Sequence, residues 1–197
     1  MDEASRSRIF RAIERLPRGV QTHIEAVRRR SIELALRFGL DQARAELAAQ
    51  THDVCRTVKG PDLLAMAREF ALPVTVIERA FPVFLHGPVG AEVLKRDYGL
   101  DDQEVLSAVR CHTMGKPGMS GLDKVLFLAD KLEPSKTGRY PFIREVDRLA
   151  DDDLDRALLC FIDHQVEAFF QEGSLVHPAM IAARNDAVLA LRGSGKP

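Results

Sequence analysis

The sequence has few cysteines, no excess of either charge and no long apolar segment. Its three cysteines, Cys55, Cys111 and Cys160, are scattered without a CxxC pair, which excludes a disulfide framework and fits a reducing cytosol. Lys and Arg total 28 and Asp and Glu total 29, so no basic surface for nucleic acid is indicated. No apolar run approaches the roughly 20 residues that span a bilayer, and the charged N-terminus lacks a signal-peptide core. We therefore expect a cytoplasmic protein without membrane or nucleic-acid partners.

Several familiar sequence signatures are also missing. No stretch alternates apolar and polar residues over a useful length, so no β-sheet is predicted. The P-loop, the dinucleotide-binding glycine pattern, the HExxH zinc motif and the serine hydrolase elbow are all absent. What the chain does contain is a succession of segments with apolar residues at helical spacing, separated by Gly, Pro and Asp. The expected fold class is all-α, a compact single-domain helical bundle.

We predict one domain over residues 1–192, with a core at about 20–140 that carries the site and C-terminal helices at about 141–192. Residues 193–197 are expected to be a disordered tail. Asp41 and Asp101 are the predicted N-caps of two of the helices. The predicted helices cover residues 6–16, 20–38, 62–71, 86–98, 103–112, 122–132, 143–171 with a break near 151, and 178–191, and a further helix follows Asp41 and leads to His52-Asp53.

Four histidines and two aspartates stand on or beside five predicted helices. His52 and Asp53 are adjacent at the end of an apolar helical run, so they point about 100° apart, and one carboxylate oxygen stays free for a second contact. Asp130 ends the apolar run 125–129, where an ionised and unpaired carboxylate would be strongly unfavourable. The remaining candidates lie beside apolar helical residues: His23, His86 and His112.

Each of these residues alone has an ordinary structural explanation: a helix cap, a hydrogen-bonded core histidine, or an ion pair of Asp130 with Lys124, Lys131 or an arginine. Together, imidazole and carboxylate groups favour Mn, Fe, Zn or Co over Ca. Six ligands exceed the needs of one tetrahedral zinc, so two metal ions that share a carboxylate explain them better. Two ions about 3.5–4 Å apart would lower the pKa of a bridging water and ready it for attack on phosphorus.

Basic residues in the neighbouring loops are candidates for binding phosphate, although each could equally be a solvated surface charge. They are Arg56, Lys59, Lys116, Lys131, Lys136 and Arg139. The loop 114–119 could cover a base, close over phosphates, or be only a turn. We interpret His164 and His177 as structural residues and Cys111 as a core residue.

The order of these motifs resembles the HD-domain metal-dependent phosphohydrolases, and in particular their YqeK branch. A histidine, a His-Asp pair, two isolated histidines and an aspartate in an apolar helix form the superfamily pattern. The segments that resemble the YqeK branch are residues 86–91, 109–120 and 122–134, followed by His177-Pro178 and Ala183-Arg184-Asn185. The resemblance extends from about residue 15 to 192.

This resemblance implies an all-helical enzyme of the HD type with a di-iron centre, which hydrolyses diadenosine tetraphosphate symmetrically to two ADP. Carried over to this chain, it implies one metal held by His23, His52, Asp53 and Asp130. Asp53 would bridge to a second metal held by His86 and His112. The expected cofactor is two divalent or trivalent ions, iron first, with Mn or Co as alternatives.

On the substrate side, the family's loop matches Thr113, Gly115 and Met119, and Arg139 matches an arginine that follows its Glu-Pro. Arg56 stands where the family usually has lysine; it keeps the charge but prefers a bidentate grip on phosphate. We predict catalytic roles for Asp53, Arg56 and Arg139. Predicted substrate contacts come from Arg56, Lys59, Thr113, Gly115, Lys116, Met119 and Arg139.

The alternatives are an HD-type hydrolase of other nucleotides or phosphate esters, and a catalytically idle module that binds metal and nucleotide. In every case the expected partner is a small nucleotide, and a homodimer is left open.

Overall fold

The computed structural model describes residues 3–133 and 142–193, and all regular secondary structure in those ranges is helical. The all-α prediction is therefore confirmed. The helices are α1 (Glu3–Glu14), α2 (Arg18–Arg37), α3 (Gln42–Thr51), α4 (Gly60–Glu69), α5 (Val76–Ala80), α6 (His86–Tyr98), α7 (Gln103–Cys111), α8 (Gly121–Lys131), α9 (Ile143–Ala150), α10 (Leu154–Gln171) and α11 (Pro178–Gly193). A 3₁₀ turn at Pro82–Leu85 leads directly into α6. Within the described ranges, every helix is too short or too polar to cross a membrane.

Helix α8 lies at the centre of the bundle. It packs against α2, α3, α7 and α10, and its residues from Leu122 to Asp130 are buried except for Lys124. A helix that is apolar nearly all round is stable only when neighbours cover every side. Its start is fixed by a capping box, in which Ser120 and Asp123 each accept a hydrogen bond from the other's backbone N–H. Asp130, in the last turn of α8, is thereby held close to α2 and α3.

A small second core lies beside the main one. It contains six buried residues from the turn after α3, from α4, from the 3₁₀ turn and from α6: Cys55, Leu63, Ala67, Leu85, Val89 and Val93. Cys55 follows the His52-Asp53 pair, and Leu85 directly precedes His86. Burying these two neighbours holds both ligand-bearing segments on a common apolar base.

Several helix ends differ from the prediction by one to three residues; α1, for example, is Glu3–Glu14 and not 6–16, and α4 is Gly60–Glu69 and not 62–71. The N-cap of α7 is Asp102, so the prediction of Asp101 was wrong by one residue. The Asp102 carboxylate accepts from the backbone N–H groups of Glu104 and Val105, as the position directly before the first helical residue requires. Gly193, expected in the tail, is the last residue of α11. Residues 194–197, together with Lys136 and Arg139, lie outside the described residues.

Candidate metal centre

The predicted ligand residues converge from five helices on one cavity of about 400 Å³. All of them except His23 are buried. His52 and Asp53 follow the last residue of α3, and His112 follows the last residue of α7, so helix ends deliver these three. His23 lies on α2, His86 is the first residue of α6, and Asp130 lies on α8. All except His52 line the cavity.

The carboxylate of Asp53 faces two different pairs of histidines. Its Oδ1 atom is 3.1 Å from Nε2 of His86 and 3.9 Å from Nε2 of His112. Its Oδ2 atom is 3.6 Å from Nε2 of His23 and 3.6 Å from Nε2 of His52. Each oxygen of this carboxylate can therefore coordinate a separate cation.

Asp130 completes one side of the cavity. Its Oδ1 atom is 3.1 Å from Nε2 of His23, which is 3.3 Å from Nε2 of His52. Its Oδ2 atom accepts a hydrogen bond of 2.6 Å from Nζ of Lys131. Asp130 thus has the lysine partner that the sequence suggested on one oxygen, and the imidazole of His23 on the other. Ligand atoms of His23, His52 and Asp130 lie within 4.8 Å of one another, as do those of His52, Asp53 and His112, so each group could hold a metal ion.

Three of the four imidazole rings are oriented by the backbone of their own turn. Nδ1 of His52, His86 and His112 lies 2.7, 2.5 and 2.7 Å from the carbonyl oxygen three residues earlier. A carbonyl oxygen only accepts, so each Nδ1 carries the proton, and in the neutral ring Nε2 is left as a bare acceptor. Metal-ligating histidines are typically held in this way by their second nitrogen.

The bare nitrogens approach one another more closely than neutral rings tolerate. Nε2 of His86 and Nε2 of His112 are 3.0 Å apart, and both present lone pairs. Burial, reinforced by the neighbouring histidines, lowers the pKa of His112 well below its usual value, which disfavours a shared proton. Burial alone would raise the pKa of Asp53, but attraction to the protonated form of the surrounding imidazoles outweighs it and lowers that pKa. Neutral imidazoles around an ionised carboxylate fit a transition metal cation.

Glu133 is a residue of this cavity that the sequence reasoning did not select. It lines the cavity, and its Oε2 atom is 3.9 Å from Nδ1 of His23. Its carboxylate lies on the Nδ1 side of His23, at a distance longer than a hydrogen bond. Its position three residues after Asp130, one helical turn further on, was the available signal.

Of the predicted basic residues, Arg56 and Lys131 line the cavity, and so does Thr113. Arg56 Nε is 3.9 Å from Oδ2 of Asp53, and its side chain is nearly half exposed. It therefore combines contact with the site and access to solvent. Lys59 is exposed at the N-cap position of α4 and is not among the cavity residues.

Gly115, Lys116 and Met119 do not line this cavity either. Lys116 Nζ lies 3.1 Å from the buried carboxylate of Asp123 and donates to Oγ of Ser107 at 2.7 Å. Met119 is buried in the main core, and Gly115 has a φ of +73° in the loop before it. The structure gives these residues packing and ion-pair roles, and their contact with substrate stays a prediction.

The residues interpreted as structural do have structural contacts. His177 is buried at the start of α11, where Nδ1 accepts a hydrogen bond from the backbone N–H of Ala179. The His164 ring stacks on the Phe142 ring with centroids 4.8 Å apart. Cys111 is buried in the main core.

Comparison with known proteins identifies the family. The model of the HD domain matches residues 20–135, more than half of the chain. The chain belongs to the HD domain family, and it is a hydrolase of that type.

Individual relatives narrow this further and confirm the resemblance seen in the sequence. The chain is 35% identical to the symmetrical bis(5'-nucleosyl)-tetraphosphatase of Bacillus subtilis (strain 168), over 79% of this chain and 82% of the relative. It is 31% identical to the enzyme of the same name from Halalkalibacterium halodurans, over 85% and 88%. A crystal structure of an HD superfamily hydrolase involved in NAD metabolism from Clostridium acetobutylicum superposes with a TM-score of 0.87, at 27% identity, over 93% of this chain and 97% of that one.

Proposed function

We propose that this protein hydrolyses diadenosine tetraphosphate symmetrically to two ADP, with two metal ions in the cavity around Asp53. The observation that carries the proposal is the Asp53 carboxylate, whose two oxygens face separate pairs of imidazole nitrogens. Similarity to two symmetrical bis(5'-nucleosyl)-tetraphosphatases supports the choice of substrate.

The proposed ligand sets follow the two sides of this carboxylate. One ion would be held by His23, His52, Asp53 and Asp130. The other would be held by Asp53 together with two imidazoles, those of His86 and His112. When bound, such a pair of ions lowers the pKa of a shared water and offsets phosphate charge. Iron is the proposed metal, and the same nitrogen and oxygen donors also accept Mn or Co.

The reaction requires one water and breaks one phosphoanhydride bond. The water oxygen bonds to one of the two central phosphorus atoms, the bond from that atom to the central bridging oxygen breaks, and the departing ADP oxygen takes up a proton. Arg56 and Lys131 line the cavity and place positive charge where the polyphosphate would lie. The planar guanidinium of Arg56 suits a bidentate contact with phosphate oxygens. We propose Arg139 as a further phosphate contact.

The free thiols support a reducing compartment, and we propose that the protein is located in the cytoplasm.

A substrate panel combined with elemental analysis tests the proposal. The purified protein is analysed for metals, then incubated with diadenosine tetraphosphate and with nucleoside mono-, di- and triphosphates, as purified and after reloading with Fe, Mn or Co. We expect two metal ions per chain and ADP as the sole product of diadenosine tetraphosphate. ATP plus AMP as products, turnover of other nucleotides alone, or bound metal without turnover would each reject it.

Replacing Asp53 with Asn tests the shared carboxylate at nearly constant side-chain size. An amide offers one neutral oxygen in place of two anionic ones, so we expect loss of at least one ion and a fall in activity of at least about 100-fold. Asp101→Asn is the matched control because Asp101 is exposed and does not line the cavity. Arg139→Ala should keep both ions and raise KM or slow turnover, and wild-type kinetics in that variant would remove Arg139 from the site.

A further inference from the structure

A second cavity, of about 220 Å³, adjoins the metal cavity. Thr113 and Lys131 line both, so these two residues form the junction. We call the second one the phenylalanine cavity, because most of its wall is apolar and three rings contribute to it. Its other principal residues are three phenylalanines, two methionines and one amide: Phe84, Phe161, Phe169, Met114, Met180 and Gln165.

Gln165 is the polar side chain on the α10 wall of this cavity. It is partly buried, and it makes no hydrogen bond to any other residue in the ranges 3–133 and 142–193. Because the side chain is only partly buried, water can reach its amide, and a ligand with a donor and an acceptor can take the place of that water. The side chain therefore has its hydrogen-bonding capacity available to a ligand.

The wall of the cavity is preformed near the junction. The Phe161 ring meets the Phe127 ring edge to face, with centroids 5.6 Å apart and an interplanar angle of 81°. Nζ of Lys131 lies 5.2 Å from the centroid of the same Phe127 ring. Phe127 therefore contacts both Lys131, which bonds to Asp130, and Phe161, whose ring lines the apolar cavity. Such fixed aromatic surfaces bind flat ligands with little loss of side-chain freedom.

We propose that the phenylalanine cavity binds the nucleobase of the substrate, while the phosphates lie in the metal cavity. This inference rests on the proposed function and adds the recognition of the base to it. Phe84 and Phe169 supply an apolar, aromatic surface on which any nucleobase can stack. Gln165 supplies paired donor and acceptor groups, which match a base edge such as N6 and N7 of adenine. Thr113 and Lys131 stand between the base and the metal-side phosphates.

Comparing ADP with ribose 5-diphosphate tests this without relying on turnover. The two ligands carry the same diphosphate and ribose, and they differ only in the base. Isothermal titration of the as-purified protein should give ADP an affinity at least about ten-fold higher. Phe169→Ala and Gln165→Ala should each narrow that ratio several-fold by weakening ADP alone.

Matched controls are available on the same helix. Phe170 is exposed and Gln171 bonds to Glu167 at the surface, and neither lines the cavity. Phe170→Ala and Gln171→Ala should leave the ADP to ribose 5-diphosphate ratio at its wild-type value. Phe169→Leu keeps apolar bulk without an aromatic face, so it gives a second measure if the alanine variant is unstable.

The outcomes separate this proposal from the proposed function. Equal affinity of the wild type for ADP and ribose 5-diphosphate would overturn the base site, and so would an unchanged ratio in both Phe169 variants and in Gln165→Ala. A base preference that disappears in these variants supports the site even if diadenosine tetraphosphate is not hydrolysed. Hydrolysis to ADP with unchanged KM in the same variants would support the function and reject the site.

Discussion

Replacing Gly87 with alanine should disturb the metal cavity through the backbone alone. Gly87 follows His86 in the first turn of α6, where α6 meets the end of α7. A Cβ atom at this position would lie 2.9 Å from the carbonyl oxygen of Val109, 3.2 Å from that of Arg110 and 3.2 Å from Cε1 of His112. Backbone carbonyls cannot rotate away as a flexible side chain can. The Val109 carbonyl is also the acceptor that orients the His112 ring.

Two opposing effects set the expected magnitude. Alanine is favoured over glycine inside a helix by about 1 kcal/mol. Overpacking against fixed neighbours costs about 1–3 kcal/mol. The net loss of unfolding free energy should therefore be about 1 kcal/mol, which lowers Tm by about 3 °C in a chain of this length. The effect on the cavity should be larger, since disturbing a hydrogen bond behind a metal ligand costs about 10–100-fold in metal affinity.

The assay is metal content by elemental analysis beside thermal unfolding of the same sample. Gly121→Ala is the matched control, because its Cβ would meet only methyl groups of Leu40, at 3.0 Å, which can shift. We expect the control to keep wild-type metal content and Gly87→Ala to lose most of one ion. Full metal occupancy and affinity in Gly87→Ala would refute the claim that the close approach of α6 and α7 determines this side of the cavity.

Three further measurements address other parts of the molecule. Burial lowers the pKa of His52 and of His112 in the folded, metal-free protein. Below the ordinary histidine pKa of about 6.5, the unfolded chain therefore binds protons at these two residues that the folded chain does not, and stability falls. Denaturant unfolding of chelator-treated protein should thus show stability that is level above pH 7 and falls between pH 6.5 and pH 5, and a flat profile there would contradict this. Lys116→Ala should reduce the free energy of unfolding by about 1–3 kcal/mol by removing a partner of the buried Asp123, and it should raise KM through loss of the predicted substrate contact; an unchanged KM would remove Lys116 from the substrate contacts. Iodoacetamide at pH 8 should modify Cys160 slowly and the two buried cysteines only after unfolding, as mass spectrometry would reveal.

The helices and the convergence of the candidate ligand residues could be predicted because both leave local marks in the sequence. Apolar spacing locates α8, and a carboxylate at the end of such a run, Asp130, needs a partner wherever the helix packs. The exact N-cap of α7 could not be predicted, because Asp101 and Asp102 offer the same side chain in succession. Arg44 on α3 donates to the carboxylate of Asp102 at 2.8 Å, so a contact between helices distinguishes the two.

The roles of the basic residues were also hard to predict, because they depend on contacts that only the fold creates. Lys116 was assigned a phosphate contact from its charge and its place shortly after His112 in the chain, and that assignment stays a prediction. In the fold, the buried carboxylate of Asp123 attracts this lysine, because an unpaired ionised group there would be strongly unfavourable. Glu133 was missed because a carboxylate near a helix end has many ordinary explanations. Only the distance to His23 Nδ1 sets it apart.

The hydrogen bonds from Nδ1 of His52, His86 and His112 to their own helical turns have a consequence for metal exchange. The orientation of these three imidazoles is fixed by hydrogen bonds to the nearby main chain. We therefore expect that orientation to persist after a chelator has removed the metal ions. Emptying and refilling should then be reversible within the native state, without a refolding step. One preparation could accept Fe, Mn and Co in succession, and differences in rate among them would report the chemistry of each ion and not a changed scaffold.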